Sequence, residues 1–329
     1  MTQPAELYVA TYHYVRDLPN TRFPRIKGMM LDAFREQVSF LAGAFEMATL
    51  QSAMAYLRGD YTPKRHLCLM TFDDGLREHY ADVTPILADH GAQGLFFVIT
   101  ACLEEGVVAP VHMNHFLTAD LGFERYRDLF HRAMSESELA NQIDVRRHAT
   151  TAQRTYPLDQ PDVAEFKYLF NFLLPSNIRD NIVRKLFAEH LGSEGEFAAN
   201  LYLNWSEARQ MQDAGMVIGG HTHTHRPLSS LDDDQMEHDL QKSRLLMNQN
   251  LKAQDLWPFS YPYGKKDSYN EHTVALLKKL GYCCALTTES GQNLPGIDAF
   301  AIHRLDGQHH PTLKRPAANS LNREVTLPA

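Results

Sequence analysis

Two adjacent aspartates, Asp73 and Asp74, stand at the end of a short apolar run in this 329-residue chain. The run, residues 67–72 (LCLMTF), is typical of a strand buried on both faces, and Gly75 completes the segment TFDDG. Neighbouring carboxylates are costly to keep ionised together unless a cation or a proton separates their roles. One aspartate can therefore bind a metal ion while the other acts as a base, although an Asp-Gly turn before a helix explains the same pattern.

Three alternating histidines follow a second apolar run, residues 216–220 (MVIGG). His221 and His225 can bind one ion if the chain turns after the strand, because neutral imidazole is the commonest metal ligand. His223 points the other way if the segment stays extended. With Asp74, the two histidines form a set of three ligands that leaves positions open for water and substrate. We therefore predict a site for one divalent ion that activates water: zinc first, with cobalt, nickel, manganese or iron suited to the same ligands.

The rest of the chain alternates between strand-like and helix-like segments, as in a parallel sheet covered by helices. The spacing of apolar residues predicts strands over residues 7–15, 67–72, 94–100, 216–220, 257–261, 283–288 and 300–305. It predicts helices over residues 31–45, 205–214, 232–250 and 271–280, and one that follows TFDDG and ends at His90. Because ligands bind at the carboxyl ends of parallel strands, the aspartates and the histidines should meet at one edge of the sheet.

Residues 104–200 interrupt this alternation, since they hold charged, helix-like segments with few strand signals. We predict a largely helical insertion there. The chain then forms a single domain over residues 1–329, with a barrel built from residues 1–103 and 201–307 and a polar tail over residues 308–329. Periodicity alone does not decide whether the sheet closes into a barrel.

Composition and charge exclude several classes of protein. The net charge is 32 − 40 = −8, which argues against a protein that binds the phosphate backbone of nucleic acids. The longest charge-free apolar run, residues 91–103, falls short of the roughly 20 residues of a membrane-spanning helix. The start of the chain lacks the features of a secretion signal, and the four cysteines show no CxxC spacing. We therefore expect reduced thiols and a cytoplasmic location.

These segments resemble the motifs of the polysaccharide deacetylases, also called NodB-homology enzymes or carbohydrate esterase family four. Residues 71–75 are similar to the family's TFDDG motif, and residues 221–228 to its H-[ST]-x-[ST]-H-x-x-L motif. Residues 259–264 (FSYPYG) resemble an F-x-Y-P-Y-G variant of the third motif. The resemblance covers roughly residues 67–100 and 204–305. It implies an α/β fold, a distorted (β/α)7-type barrel, and metal-dependent removal of an acyl group, usually acetyl, from an amino sugar.

The resemblance also implies a role for individual residues. Carried over to this chain, Asp73 is the general base, and Asp74, His221 and His225 hold the metal ion. The backbone amide of Tyr263 helps to stabilise the oxyanion of the tetrahedral intermediate. These roles are chemically coherent, because an activated water needs a base and the developing oxyanion needs donors.

One departure from the family concerns the base. The third motif often carries an arginine that holds the base aspartate, and Ser260 stands in its place here. Arg304, in the predicted strand FAIHRL, is our candidate to supply that charge from another strand. A surface arginine is the alternative.

A second departure concerns the general acid, because the family's late Leu-x-His motif is not evident. Residues 12–15 (YHYV) resemble the Y-H strand of a circularly permuted branch, which includes poly-N-acetylglucosamine deacetylases. A closed barrel places its first and last strands side by side, so permutation preserves the geometry. We therefore predict His13 as the acid, with a core histidine bonded to the backbone as the alternative. His112, His115 and His303 are the next candidates.

Taken together, these features predict a hydrolase that removes an acyl group, expected to be N-acetyl, from an amino-sugar intermediate of surface polysaccharide biosynthesis. The expected partner is a glycan or a small-molecule substrate, with no nucleic acid and no membrane span. Two alternatives stay open: hydrolysis of a non-sugar amide, since the superfamily includes such enzymes, and a catalytically silent carbohydrate-binding barrel.

Overall fold

The computed structural model of the chain describes residues 5–136, 143–157 and 159–314. Its strands are β1 (Leu7–Tyr12), β2 (Val15–Arg16), β3 (Met29–Met30), β4 (Glu46–Met47), β5 (Leu67–Phe72), β6 (Gly94–Val98), β7 (Val217–Gly220), β8 (Pro258–Ser260), β9 (Cys284–Leu286) and β10 (Leu305–Asp306). Its α-helices are α1 (Leu31–Ala44), α2 (Leu50–Arg58), α3 (Thr84–Asp89), α4 (Thr100–Glu104), α5 (Pro110–Leu121), α6 (Phe123–Ser135), α7 (Ala149–Thr155), α8 (Pro161–Tyr168), α9 (Ser176–His190), α10 (Glu194–Leu201), α11 (Trp205–Asp213), α12 (Asp233–Asn250) and α13 (Glu271–Lys279). None of these helices is both long and apolar enough to span a lipid bilayer.

Eight strands of the described chain form one curled parallel sheet. The strand order is β10-β1-β5-β6-β7-β8-β9, and β4 pairs with the first half of β5. The first and last strands are neighbours, because Ala10 of β1 pairs with Leu305 of β10. A single parallel bridge between Leu286 and Ile302 joins β9 to the segment before β10. The sheet is thus a half-barrel, and the predicted α/β fold class is confirmed.

The core lies on both faces of the central strands. Every residue of β5 and β6 is buried, as the continuous apolar runs predicted. Phe72 and Phe96 stack on one face with ring centroids 4.7 Å apart. Helix α1 covers this cluster with Phe34 and Val38, both fully buried. Burial of each such side chain stabilises the fold by about 1.5–3 kcal/mol.

The spacing of Asn204 and Glu207 in the sequence is typical of a capping box, and the structure contains it. The Asn204 side chain accepts a hydrogen bond from the Glu207 backbone, and the Glu207 carboxylate accepts one from the Asn204 backbone. Helix α11 ends before Gly215, whose φ of +84° suits a residue without a side chain. Asp232 caps α12 by accepting from the backbone of Gln235.

Most predicted strands are shorter than expected: β6 ends at Val98 instead of residue 100, β8 covers only Pro258–Ser260, and β9 covers only Cys284–Leu286. A physical reason is visible for the first and the last predicted strand. The first ends at Tyr12 instead of residue 15, because the His79 ring binds the His13 carbonyl and the chain leaves the sheet there. The last covers only Leu305–Asp306 instead of residues 300–305. The Asn293 side-chain amide donates to the carbonyl of His303 and accepts from its backbone N–H. These two backbone groups are therefore not available to a neighbouring strand.

Between β6 and β7 the described chain is helical, and it forms a cluster of its own. This cluster includes Phe116, Phe130 and Phe170, and it extends to Tyr14 and Phe23 in the segment after β1. The helices therefore pack beside the carboxyl ends of the strands. Residues 137–142 and 158 of the predicted insertion lie outside the described residues.

The predicted tail begins in contact with the barrel. The Gln37 side-chain amide donates to the carbonyls of Gly307 (2.6 Å) and Leu313 (2.7 Å), and Leu313 is fully buried. Residues 308–314 of the predicted tail are therefore held against the rest of the fold. Residues 315–329 lie outside the described residues.

Candidate active site

The aspartate and histidine segments meet at one edge of the sheet. Asp73 and Asp74 follow β5, and His221 follows β7, with β6 between the two strands. Both segments turn sharply, because Asp74 (φ +81°) and His225 (φ +58°) adopt the left-handed conformation. Such strain in non-glycine residues is typical of functional sites, where the surrounding structure maintains it.

Asp74, His221 and His225 form a compact group of candidate metal ligands. Their ligand atoms lie within 4.8 Å of one another. Asp74 Oδ1 is 3.5 Å from His221 Nε2 and 3.4 Å from His225 Nε2. This buried oxygen has no hydrogen-bond partner among the described residues, which is costly unless another group binds it. The donor set therefore fits a divalent cation.

The protonation of the two histidines also suits metal binding. His221 Nδ1 donates to the carbonyl of Ser260 at 2.7 Å, which leaves the Nε2 lone pair directed at the site. Burial lowers the pKa of His225 to about 4, although contact with Asp74 opposes the shift. Burial also lowers the pKa of His221, but the charges of Asp73 and Asp74 outweigh it and raise the pKa overall. A cation at this position would replace that proton.

The two aspartates are kept ionised by different partners. Burial raises the pKa of Asp74, but the nearby imidazoles, His112 first among them, hold it well below its usual range. Burial also raises the pKa of Asp73, and the Arg304 guanidinium outweighs it, so that the pKa falls to about 2. Arg304 binds both carboxylate oxygens of Asp73 at 2.8 Å, and the Ser260 hydroxyl donates to Oδ2 at 3.2 Å. The guanidinium missing from the third motif thus reaches Asp73 from Arg304, which directly precedes β10 instead of lying in the predicted strand.

Replacing Arg304 with methionine is expected to destabilise the protein by about 3–5 kcal/mol near neutral pH, because Asp73 is left as a buried, unpaired charge. The pH dependence of stability should also reverse. In the parent protein the depressed pKa of Asp73 contributes stability above pH 3.8, which is lost as the pH falls towards 2. In Arg304→Met the largest charge that opposes burial is gone and only the weaker ones of His221 and His13 remain, so the pKa of Asp73 should rise and acid should reduce the deficit. Urea unfolding across this pH range measures the stability deficit of the variant. An equal deficit at every pH would contradict the pairing of Arg304 with Asp73.

His13 lies beside Asp73, and Tyr263 lies beside His225. His13 Nε2 is 3.9 Å from Asp73 Oδ2, and its side chain is 48% exposed. Tyr263 has a φ of +64°, its carbonyl accepts from the Thr288 hydroxyl at 2.6 Å, and its ring centroid is 5.4 Å from that of His225. Within the described chain, no acceptor binds the Tyr263 backbone N–H. All seven predicted site residues therefore belong to one cluster.

Comparison with known proteins identifies the family. The sequence profile described as polysaccharide deacetylase matches residues 60–165 and 169–285, which is more than half of the chain. The chain belongs to the polysaccharide deacetylase family. The putative polysaccharide deacetylase YxkH of Bacillus subtilis (strain 168) is 20% identical over 304 residues, covering 92% of this chain and 72% of YxkH. The family resemblance predicted from the motifs is thus confirmed.

Solved structures show the same fold. The deacetylase PplD of Streptococcus pyogenes, in complex with acetate, is similar with a TM-score of 0.56 and 15% identity, over 92% of this chain and 93% of PplD. IcaB from Ammonifex degensii is similar with a TM-score of 0.53 and 19% identity, over 92% of each chain. Membership of the polysaccharide deacetylase family supports a deacetylase that acts on a glycan.

Asp239 of α12 supports the loop that carries the histidines, and the sequence analysis did not predict this role. Asp239 of α12 accepts from the backbone N–H groups of His223 (2.7 Å) and Thr224 (3.1 Å), and from the Thr224 hydroxyl. The His223 ring instead contacts Thr100 and Glu105, away from the candidate ligands. Nothing in the pattern of α12 separates Asp239 from an ordinary helix acid, so no sequence signal could have found it.

Proposed function

We propose that this protein is a divalent-metal-dependent deacetylase that removes N-acetyl groups from an amino-sugar intermediate of a surface polysaccharide. The observation that carries the proposal is the position of Asp74 Oδ1. It lies unpartnered between two imidazole nitrogens, next to an aspartate held ionised by Arg304. Two histidines and one carboxylate suit zinc, which we propose as the ion.

The residues of the chain supply the acid, the base and the oxyanion donor in this mechanism. When bound by Asp74, His221 and His225, the ion would act as a Lewis acid and promote ionisation of water. Asp73 accepts the proton of the attacking water, and Arg304 keeps its carboxylate oriented. The backbone N–H of Tyr263 donates to the oxyanion as the acyl carbon becomes tetrahedral. His13 donates a proton to the departing nitrogen.

His13 is our proposed acid because it is the half-exposed imidazole beside Asp73. An amide nitrogen must be protonated before it leaves, whereas an activated ester has a leaving group that needs little protonation. His13→Ala should therefore lower the turnover of N-acetyl substrates by about 10²-fold or more, while hydrolysis of an activated acetyl ester falls far less. Metal content should equal that of the parent protein. Equal losses on both substrates would contradict the acid role.

The substrate class is tested by an acetate-release screen. Purified protein loaded with zinc is assayed on N-acetylated amino sugars, on their short oligomers, and on non-sugar amides. The proposal predicts release from the amino sugars and none from the non-sugar amides. Release from the latter alone would identify an amidase, and saturable sugar binding without release would identify a carbohydrate-binding protein.

The proposed compartment is the cytoplasm, in keeping with synthesis of a glycan precursor. All four cysteines are free: Cys68, Cys102 and Cys284 are buried, and Cys283 is partly exposed. Unpaired thiols are typical of proteins from reducing compartments. Fractionation of the source cells, followed by detection of the native protein, tests this point.

A further inference from the structure

The second carboxylate oxygen of Asp74 is bound by a residue outside the barrel. His112 is the third residue of α5, its ring is buried, and its Nε2 lies 3.0 Å from Asp74 Oδ2. An ionised carboxylate only accepts hydrogen bonds. Nε2 of His112 must therefore carry a hydrogen and donate it to Asp74.

The other nitrogen of this ring is bound as well. A neutral imidazole with its hydrogen on Nε2 has a bare Nδ1, which accepts a hydrogen bond. In this form of the ring, the Tyr202 hydroxyl, which lies 2.5 Å from His112 Nδ1, donates to it. The same hydroxyl oxygen accepts the backbone N–H of Ala109 at 3.1 Å. With the ring neutral, the hydrogen bonds from Ala109 through Tyr202 and His112 to Asp74 thus run in a single direction.

Tyr202 is itself anchored to the strand exit that carries Asp74. It follows α10 and forms a bridge with Leu76, while the N–H of Leu203 donates to the carbonyl of Gly75 at 2.9 Å. His112 comes from the beginning of the helical segment between β6 and β7, and Tyr202 from its end. Both ends of that segment therefore meet at the candidate metal ligand.

We propose that His112, held by Tyr202, is a positioning residue of the metal site. By binding Oδ2 of Asp74, His112 directs Oδ1 towards the position between His221 and His225. The inference rests on the metal dependence proposed above. Removal of a group that orients a metal ligand typically costs about 10–100-fold in metal affinity.

The experiment measures zinc affinity directly, by competition with a chromophoric chelator. His112→Phe removes the donor, and His112→Gln keeps an N–H donor on the side chain. Tyr202→Phe removes only the hydroxyl that fixes the imidazole. The matched control is Thr118→Val in the same helix, where the Thr118 hydroxyl bonds only to the backbone of Asn114. Thermal melts of the metal-free proteins record any loss of stability.

We expect the zinc dissociation constant to rise about 10–100-fold in His112→Phe. It should rise less in Tyr202→Phe, and it should stay close to the parent value in His112→Gln and Thr118→Val. In the cobalt-substituted protein, the visible d–d bands should shift in His112→Phe and not in His112→Gln. A merely structural role would lower the melting temperature without this pattern.

Three results would overturn the inference. Parent-like affinity in His112→Phe would show that Asp74 needs no support. An equal loss in His112→Gln would show that His112 is itself a ligand. If His112→Phe does not fold, unchanged affinity in Tyr202→Phe overturns the inference by itself. A parent protein that binds no zinc would instead refute the proposed function on which the inference rests.

Discussion

Alanine at both His221 and His225 is expected to abolish tight binding of a divalent ion and, with it, deacetylation. The double variant leaves Asp74 as the last of the three candidate ligands in the described chain. Lewis-acid stabilisation by a bound ion is worth several kcal/mol, and each 1.36 kcal/mol is a factor of ten, so turnover should fall by about 10³-fold or more. Elemental analysis of the purified protein, followed by acetate release, measures both effects.

The same loop provides the control for this variant. His223 lies between the two histidines in sequence, but its ring contacts Thr100 and Glu105. His223→Gln should retain the ion, so that a loss in the double variant is not a general effect of altering the loop. Near-parent far-ultraviolet circular dichroism should accompany both proteins. Unchanged metal content in the double variant would show that the ion binds elsewhere.

Asp73→Asn is expected to keep the ion and to lower turnover by about 10²–10⁴-fold, the usual contribution of a general base. An amide cannot accept the proton of water, although it preserves the shape of the side chain. The variant also leaves the Arg304 guanidinium buried without its carboxylate, so a loss of stability should accompany the loss of rate. Turnover is measured well below the melting temperature of the variant, and the loss of stability is measured separately by urea unfolding.

Ser260→Ala is the matched control for Asp73→Asn. It removes the 3.2 Å hydrogen bond to Asp73 Oδ2 but leaves the carboxylate and Arg304 in place. A hydrogen bond to a charged group contributes about 1.5–3 kcal/mol. Because the carboxylate keeps both of its bonds to Arg304, we expect a much smaller loss of rate than in Asp73→Asn. If Asp73→Asn lost its metal ion while Asp74→Asn retained it, the two aspartates would have to exchange roles.

The sequence predicted the parts of the structure that depend on local patterns. The buried strands β5 and β6 followed from continuous apolar runs, and the capping box at Asn204 followed from its spacing to Glu207. The candidate ligands followed from residue types at strand ends, because parallel strands bring their carboxyl ends to one edge. Helix α2 was not predicted. The strands β3 and β4 were not predicted either, because strands of two residues carry almost no periodic signal.

Contacts between residues that are far apart in the sequence could not be predicted from local patterns. His112 lies 38 positions from Asp74 in sequence, and Arg304 lies 231 positions from Asp73. The periodicity of α5 shows at most which face is buried, not which residue on that face meets the carboxylate. Arg304 was a candidate only because the family's third motif often carries an arginine at the position where this chain has Ser260. His112 was one of several histidines until the structure placed it.

A metal titration of the parent protein tests the proposed metal dependence most directly. Protein stripped of metal is supplied with increasing amounts of zinc while acetate release from N-acetylglucosamine oligomers is recorded. We expect no release without the ion and a linear rise that ends at one ion per chain, because Asp74, His221 and His225 form one group of ligands. Full activity in protein whose metal content is shown to be nil would contradict it.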